Sequence, residues 1–191
     1  MRRIFIATIV LLSSIHSAMA QHACDVHQKK SLNPARELTD DRLKDLVTRV
    51  ATLAGYGGAK TPLMCVGYMW WYGPSAAIVP LQEPLNGKYY VLLLPREMEE
   101  YSDEEDIGII AHEFGHLIVG GLGRFLLSEE AVIEREQEVD LKAVAIVGKR
   151  AVLATLWVAR DKMVPVLNPM QRESSLRGLK KRIEVIQALP D

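Results

Sequence analysis

An excess of charge of one sign is missing from this sequence. Its 23 basic and 24 acidic side chains leave a formal charge of −1 and a pI near 6.5. Without a basic field there is nothing to hold nucleic acid. Long apolar runs are missing too. After residue 20 no stretch reaches the roughly 18 uncharged apolar residues of a spanning helix. The nearest approach, residues 107–127, carries His112, Glu113, His116 and Arg124. Repeats, low-complexity tracts and linkers are absent. Cysteines number two, so Cys24–Cys65 is the one internal bridge the chain can make. What remains is 49% apolar and 25% charged, a globular composition that excludes disorder or a fibre. The length suits one domain rather than two.

The first residues have a different character. Met1-Arg2-Arg3 is a positive head, Ile4 to Leu12 is apolar except for Thr8, and Ala18-Met19-Ala20 is a small-x-small cleavage site. This order predicts a secretory signal peptide over 1–20 and a periplasmic or secreted mature chain. Without Arg2 and Arg3 the remaining 21 basic and 24 acidic side chains give a charge of −3. In an oxidising compartment Cys24 and Cys65 are expected to pair. The bridge would tie the polar N-terminal arm, 21–38, to the first strand of the domain, 39–191.

Periodicity orders that domain. Thr39 is expected to cap a helix whose apolar positions run from Leu43 to Ala54, ended by Gly55, Gly57 and Gly58. Strands are expected over 63–72, 76–81 and 88–94, with a turn at Asn86-Gly87 and a stop at Pro95. Ser102-Asp103-Glu104-Glu105 is a capping box opening a helix to Val119. Further helices are expected over 128–147, 150–163 and 170–189. The fold class predicted is α+β, mostly helical.

Between Gly108 and Gly120 every residue is apolar or glycine except His112, Glu113 and His116. A helix apolar all round is buried, and ionisable groups inside it need partners. Residues four apart share a helix face, so both imidazoles can hold one zinc ion. Glu113 beside them can act as the base that accepts a proton from an activated water. This is the H-E-x-x-H arrangement of zinc peptidases. The peptidase class whose third histidine follows six residues after the second is excluded, because Leu122 stands there. Elsewhere only His16, His22 and His27 occur, so a carboxylate is the better third ligand.

The helix from Ser128 supplies one. Its apolar stripe of Val132, Ile133, Val139, Ala143 and Val144 encloses positions 136 and 140, which are Glu136 and Asp140. Glu138 lies about 200° round the axis from Glu136, and Glu129, Glu130, Glu134 and Glu138 read as the solvated face. Glu136 is the expected third ligand. Asp140, one turn on, is expected to hold a ligand histidine, His112, in one tautomer. The other reading of these carboxylates is a buried ion pair with Arg124 or Arg135.

His112-Glu113-Phe114-Gly115-His116 followed by Glu136-Gln137-Glu138-Val139-Asp140 resembles the HExxH…ExxxD signature of gluzincins. More narrowly it is similar to the HtpX and CAAX-prenyl-protease family of zinc metallopeptidases, in its soluble periplasmic BepA- and LoiP-like branch. The order Ser75 to Pro80, Asn86-Gly87-Lys88, a strand, then Ser102 to Glu105 matches the approach to that family's metal helix. The resemblance covers about residues 40–147. It implies a compact gluzincin-type domain with a small sheet beside the HExxH helix, one zinc per chain, and endopeptidase action on protein or peptide substrates. Two positions depart from the family: Ser75 replaces a common asparagine, and Leu176-Arg177 stands where His-Pro often precedes an Arg-Ile pair, here Arg182-Ile183.

An oxyanion donor is expected in addition, with Arg182, Tyr101 and Tyr72 as the candidates. The strand over 88–94, if it is a sheet edge, could pair with an extended substrate. Trp70, Trp71 and Tyr72 are divided between core and groove. Arg177, Lys180, Lys181 and Arg182 read as one solvated basic face, or a contact to an anionic membrane surface. The competing function class is a zinc-containing binding or adaptor protein, or a latent protease opened by a regulatory partner protein.

Overall fold

A computed structural model describes residues 36–56, 64–68, 76–81, 89–120 and 128–190. The expected signal peptide, Cys24, Trp70, Trp71, Tyr72 and Arg124 lie outside these residues, as do the side chain of Cys65 and the bridge expected of it. After a short strand, β1 (Arg36–Glu37), the chain enters helix α1 (Asp41–Leu53). Asp40 and not Thr39 is the cap, accepting the N–H of Leu43 at 3.0 Å. A carboxylate there satisfies an amide and also suits the positive end of the helix dipole.

Three further strands follow: β2 (Met64–Tyr68), β3 (Ala77–Leu81) and β4 (Tyr89–Leu94). The sheet order is β1-β2-β4-β3, with β4 parallel to β2 and antiparallel to β3. Leu92 thus faces Val66 on one side and Ile78 on the other. The 88–94 strand is therefore an inner strand, and the substrate pairing that depended on its being an edge does not apply to it. Its Leu92, Leu93 and Leu94 are all buried, the apolar continuity of a strand covered on both faces. The edge nearest the helix that carries His112 and His116 is β3 instead.

The helical half comprises α2 (Asp103–Val119), α3 (Glu129–Val147), α4 (Lys149–Val158) and α5 (Pro169–Gln187). Helix α2 opens with the reciprocal Ser102–Glu105 capping box. Its Ile109, Ile110, Ala111 and Phe114 are the centre of one core shared with α1, β4, α4 and α5. Two glycines set how closely α2 is packed. A Cβ on Gly108 would lie 2.2 Å from the carbonyl oxygen of Ala151, and one on Gly115 would lie 2.7 Å from that of Val139. Neither position admits a side chain without separating the helices. Arg42 binds Asp106 at 2.7 Å, Asp103 at 2.8 Å and the Met98 carbonyl at 2.8 Å, pinning α1 to the start of α2.

The helix expected over 150–163 is divided. After Val158 the chain widens into a π turn, Ala159–Met163, and then a 3-10 turn, Val164–Val166. Pro165 has no N–H and its ring crowds the carbonyl four residues back, so the α ladder cannot continue through it. Among the described residues no helix is long and apolar enough to cross a membrane.

Candidate metal centre

The close approach at Gly115 brings one turn of α2 against one turn of α3. The rings of His112 and His116 meet edge-on, with centroids 4.8 Å apart. Glu136 reaches both: its Oε2 is 3.2 Å from Nε2 of His112 and its Oε1 is 3.8 Å from Nε2 of His116. The other nitrogen of His112, Nδ1, lies 2.9 Å from Oδ1 of Asp140. With Nδ1–H donated to Asp140, Nε2 is turned toward the space shared with His116 and Glu136. Glu113 accepts the backbone N–H of Ile78 through Oε2 at 3.0 Å, so β3 abuts the site.

Burial divides the acids of α3 by helix face. Glu129, Glu130, Glu134 and Glu138 are exposed, while Glu136 and Asp140 are 7% and 1% exposed. Arg124 lies outside the described residues, and among those described the cation that meets the buried pair is not Arg135. It is Arg182 on α5. Its Nε and Nη2 donate to Asp140 at 2.6 and 2.8 Å, and Nη1 is 3.4 Å from Glu136. All three nitrogens thus meet carboxylates, and Nη2 also lies 3.4 Å from Nδ1 of His112.

Tyr101 is not brought to the site. His112 lies ten residues past the cap Ser102, about 15 Å of helical rise, and Lys162 covers the Tyr101 ring at 4.0 Å. The expected basic face is also broken up. Arg182 is half-buried, Arg177 is exposed but bound to Glu129 and Glu173 at 3.0 and 2.9 Å, and Lys180 and Lys181 are exposed.

The electrostatics follow from these contacts. Burial alone would lower the pKa of His112, but its bonds to Asp140 and Glu136 outweigh this and raise it to about 9. Burial pushes the Asp140 carboxyl up, yet the Arg182 guanidinium and the His112 ring outweigh it and hold it below the ordinary carboxylate range. Glu113, Glu136 and Asp140 are buried against the Arg182 guanidinium and a His112 ring that Asp140 and Glu136 hold protonated, and a cation bound at Nε2 would take the place of that ring's proton. His112, Glu113 and His116 offer ligand atoms within 4.8 Å of one another, a buried group that could hold a metal ion. Two imidazoles and a carboxylate are borderline donors of the kind zinc accepts.

Sequence reasoning placed Arg182 among the site candidates but missed what it touches. Its signal was an arginine on the apolar side of α5, between the buried Leu179 and Ile183. Compared with protein-family models, with curated proteins and with solved structures, the chain finds no match.

Proposed function

We propose that this chain is a zinc-dependent metalloendopeptidase of the gluzincin type, related to the HtpX and CAAX-prenyl-protease family and acting on exported or envelope proteins. The observation that carries the reading is the convergence of His112 Nε2, His116 Nε2 and both oxygens of Glu136, with Glu113 on the adjoining turn. Two histidines and a glutamate are a recognised catalytic zinc set that leaves a coordination position open. In this reading His112, His116 and Glu136 hold one zinc. When bound it supplies a polarised scissile carbonyl and a water acidic enough to react near neutral pH.

The chain's own groups do the rest. Glu113 takes a proton at its carboxylate and returns it to the leaving amine. The Ile78 N–H keeps that carboxylate from swinging away. Asp140 fixes the tautomer of His112, and Arg182 fixes Asp140. Export through the 1–20 signal would place this chemistry in the periplasm or outside the cell.

A second reading, a zinc-bearing binding or adaptor domain or a latent protease, is favoured by one contact. Glu113 is already engaged by the strand nearest the site. Mass-spectrometric detection of cleavage separates the two. Residues 21–191 with zinc should cut an unfolded protein, and Glu113→Gln should bind zinc equally and cut nothing. Zinc bound with no cleavage by either protein would sink the protease reading.

A further inference from the structure

The knuckle that joins α4 to α5, residues 164–170, carries the most exposed large apolar side chains among the described residues. Val166 is 70% and Met170 81% exposed, four positions apart. The others that reach solvent, Leu53, Ile118, Leu141 and Leu176, are scattered singly over α1, α2, α3 and α5. Single exposures need no explanation, whereas two on one projection do.

The knuckle is built to hold its shape. Its inner side chains, Val164 and Leu167, line the space between α3 and α5. Pro165 and Pro169 fix φ at two of its positions. The Leu167 N–H donates to the Val164 carbonyl at 3.1 Å, and Asn168 caps α5 by accepting the Gln171 N–H at 3.0 Å. Arg172 reaches back from the first turn of α5 and donates to the carbonyls of Pro165 and Leu167, at 2.7 and 3.2 Å. Val166 and Met170 thus stand on a preformed support, and a surface that covers them has little backbone to order.

The charge around the knuckle has one sign. From Lys162 to Arg172 the sequence holds no acidic residue. The acids on either side, Asp161 and Glu173, are paired with Arg160 at 2.6 Å and with Arg177 at 2.9 Å. Arg172 is bonded to carbonyls and Lys162 lies over the Tyr101 ring, so neither cation is neutralised by these contacts. The positive end of the α5 dipole opens at the same place.

We propose that this knuckle is a peripheral lipid-contact site, at which Val166 and Met170 enter the acyl boundary of an anionic bilayer while Lys162, Arg172 and the start of α5 meet headgroup phosphates. An apolar tip ringed by cations matches the layering of that surface, with phosphate above and acyl chains beneath. The contact goes beyond the protease reading and needs neither zinc nor turnover.

The test is sedimentation of the mature chain, residues 21–191, with vesicles of phosphatidylcholine alone or mixed in equal parts with phosphatidylglycerol. Mixed vesicles should bind about 10-fold more tightly than neutral ones, and added salt should narrow that margin. Val166→Ser and Met170→Ser leave the charge unchanged and should together weaken binding about 10- to 100-fold. Both side chains are exposed, so melting temperatures should stay at the wild-type value. Lys180→Glu and Lys181→Glu, farther along α5, should change binding far less. No binding to mixed vesicles overturns the proposal and leaves the knuckle to a protein partner. Binding that survives both serine substitutions, or that is lost equally with the two lysines, overturns it as well.

Discussion

Arg182 grips Asp140 through two N–H···O bonds of 2.6 and 2.8 Å, and Asp140 in turn holds Nδ1 of His112 at 2.9 Å. The imidazole is thus oriented from α5 through α3, two steps from any metal. Groups in such a relay act on a ligand's direction and basicity rather than on the substrate. Arg182→Ala should lower zinc affinity about 10- to 100-fold, read by competition with a chelator. It should also cost about 3 kcal/mol of stability, because Asp140 stays buried with only His112, among the described residues, to partner it. Arg182→Lys keeps the charge and loses the fork, and should fall between. Unchanged zinc affinity in Arg182→Ala would remove the relay from the account.

The glycines of the helical half should respond in a fixed order. Alanine at 108 or 115 drives a methyl into a backbone carbonyl, and about 1–3 kcal/mol of destabilisation is expected from overpacking. Gly115→Ala should in addition weaken zinc binding, since it separates the two turns that carry the site. Gly178→Ala meets only ordinary contact and gains helix propensity of about 1 kcal/mol. Thermal melts of the three variants give the ranking directly.

Asp106 should make stability depend on pH in an unusual sense. Burial pushes its carboxyl up to about 6, and the Arg42 bond offsets that only in part. Its Oδ1 has no hydrogen-bond partner among the described residues. Because the folded pKa lies above the unfolded one, the native state binds the extra proton. The stability this proton contributes is complete below about pH 4 and is lost as pH rises through 6. The difference in stability between wild type and Asp106→Asn should therefore fall by on the order of 3 kcal/mol from pH 4 to pH 7. Denaturant titrations at both pH values measure it, and a flat difference would mean that Arg42 keeps Asp106 ionised throughout.

Proline should separate the inner strand from the edge. Since the N–H of Ile78 goes to Glu113, the hydrogen-bonded pairs of β3 and β4 are Ala77 with Leu93 and Val79 with Val91. Leu93→Pro breaks a ladder inside the sheet and should unfold the domain, at a cost of about 3 kcal/mol or more. Ile78→Pro loses no ladder bond. It should stay folded at a lower melting temperature and keep its zinc. If the protease reading holds, its turnover should fall about 10- to 100-fold as the base loses its orientation. Higher turnover in this variant would instead mark the Ile78 contact as a latch.

Local rules made much of the helical half legible. Ser102 and Glu105 announce a helix start because a capping box is a contact within one turn. The faces of Glu136 and Asp140 follow from periodicity alone, so their burial was foreseeable without knowing what they meet. Three features were not legible for a shared reason. The inner place of β4 depends on β2, which reaches it across 20 intervening residues. Arg182 lies 42 residues from Asp140, and its direction is set by how α5 docks. Asp106 reads as an ordinary first-turn acid until α1 is laid over it. Each depends on elements distant in sequence meeting in space, which neither pattern nor propensity records.

Within β3, the positions whose backbone turns away from β4 are Ile78 and Pro80. The first has spent its N–H on Glu113 and the second has none to give. Along Ala77–Leu81, the described part of this rim, the sheet therefore shows carbonyl oxygens and no spare amide. Two copies of this rim laid side by side would oppose acceptor to acceptor, so the protein cannot zip onto itself there as bare strand edges tend to do. The same arrangement that steadies a carboxylate in the site thus guards the chain against edge-to-edge aggregation.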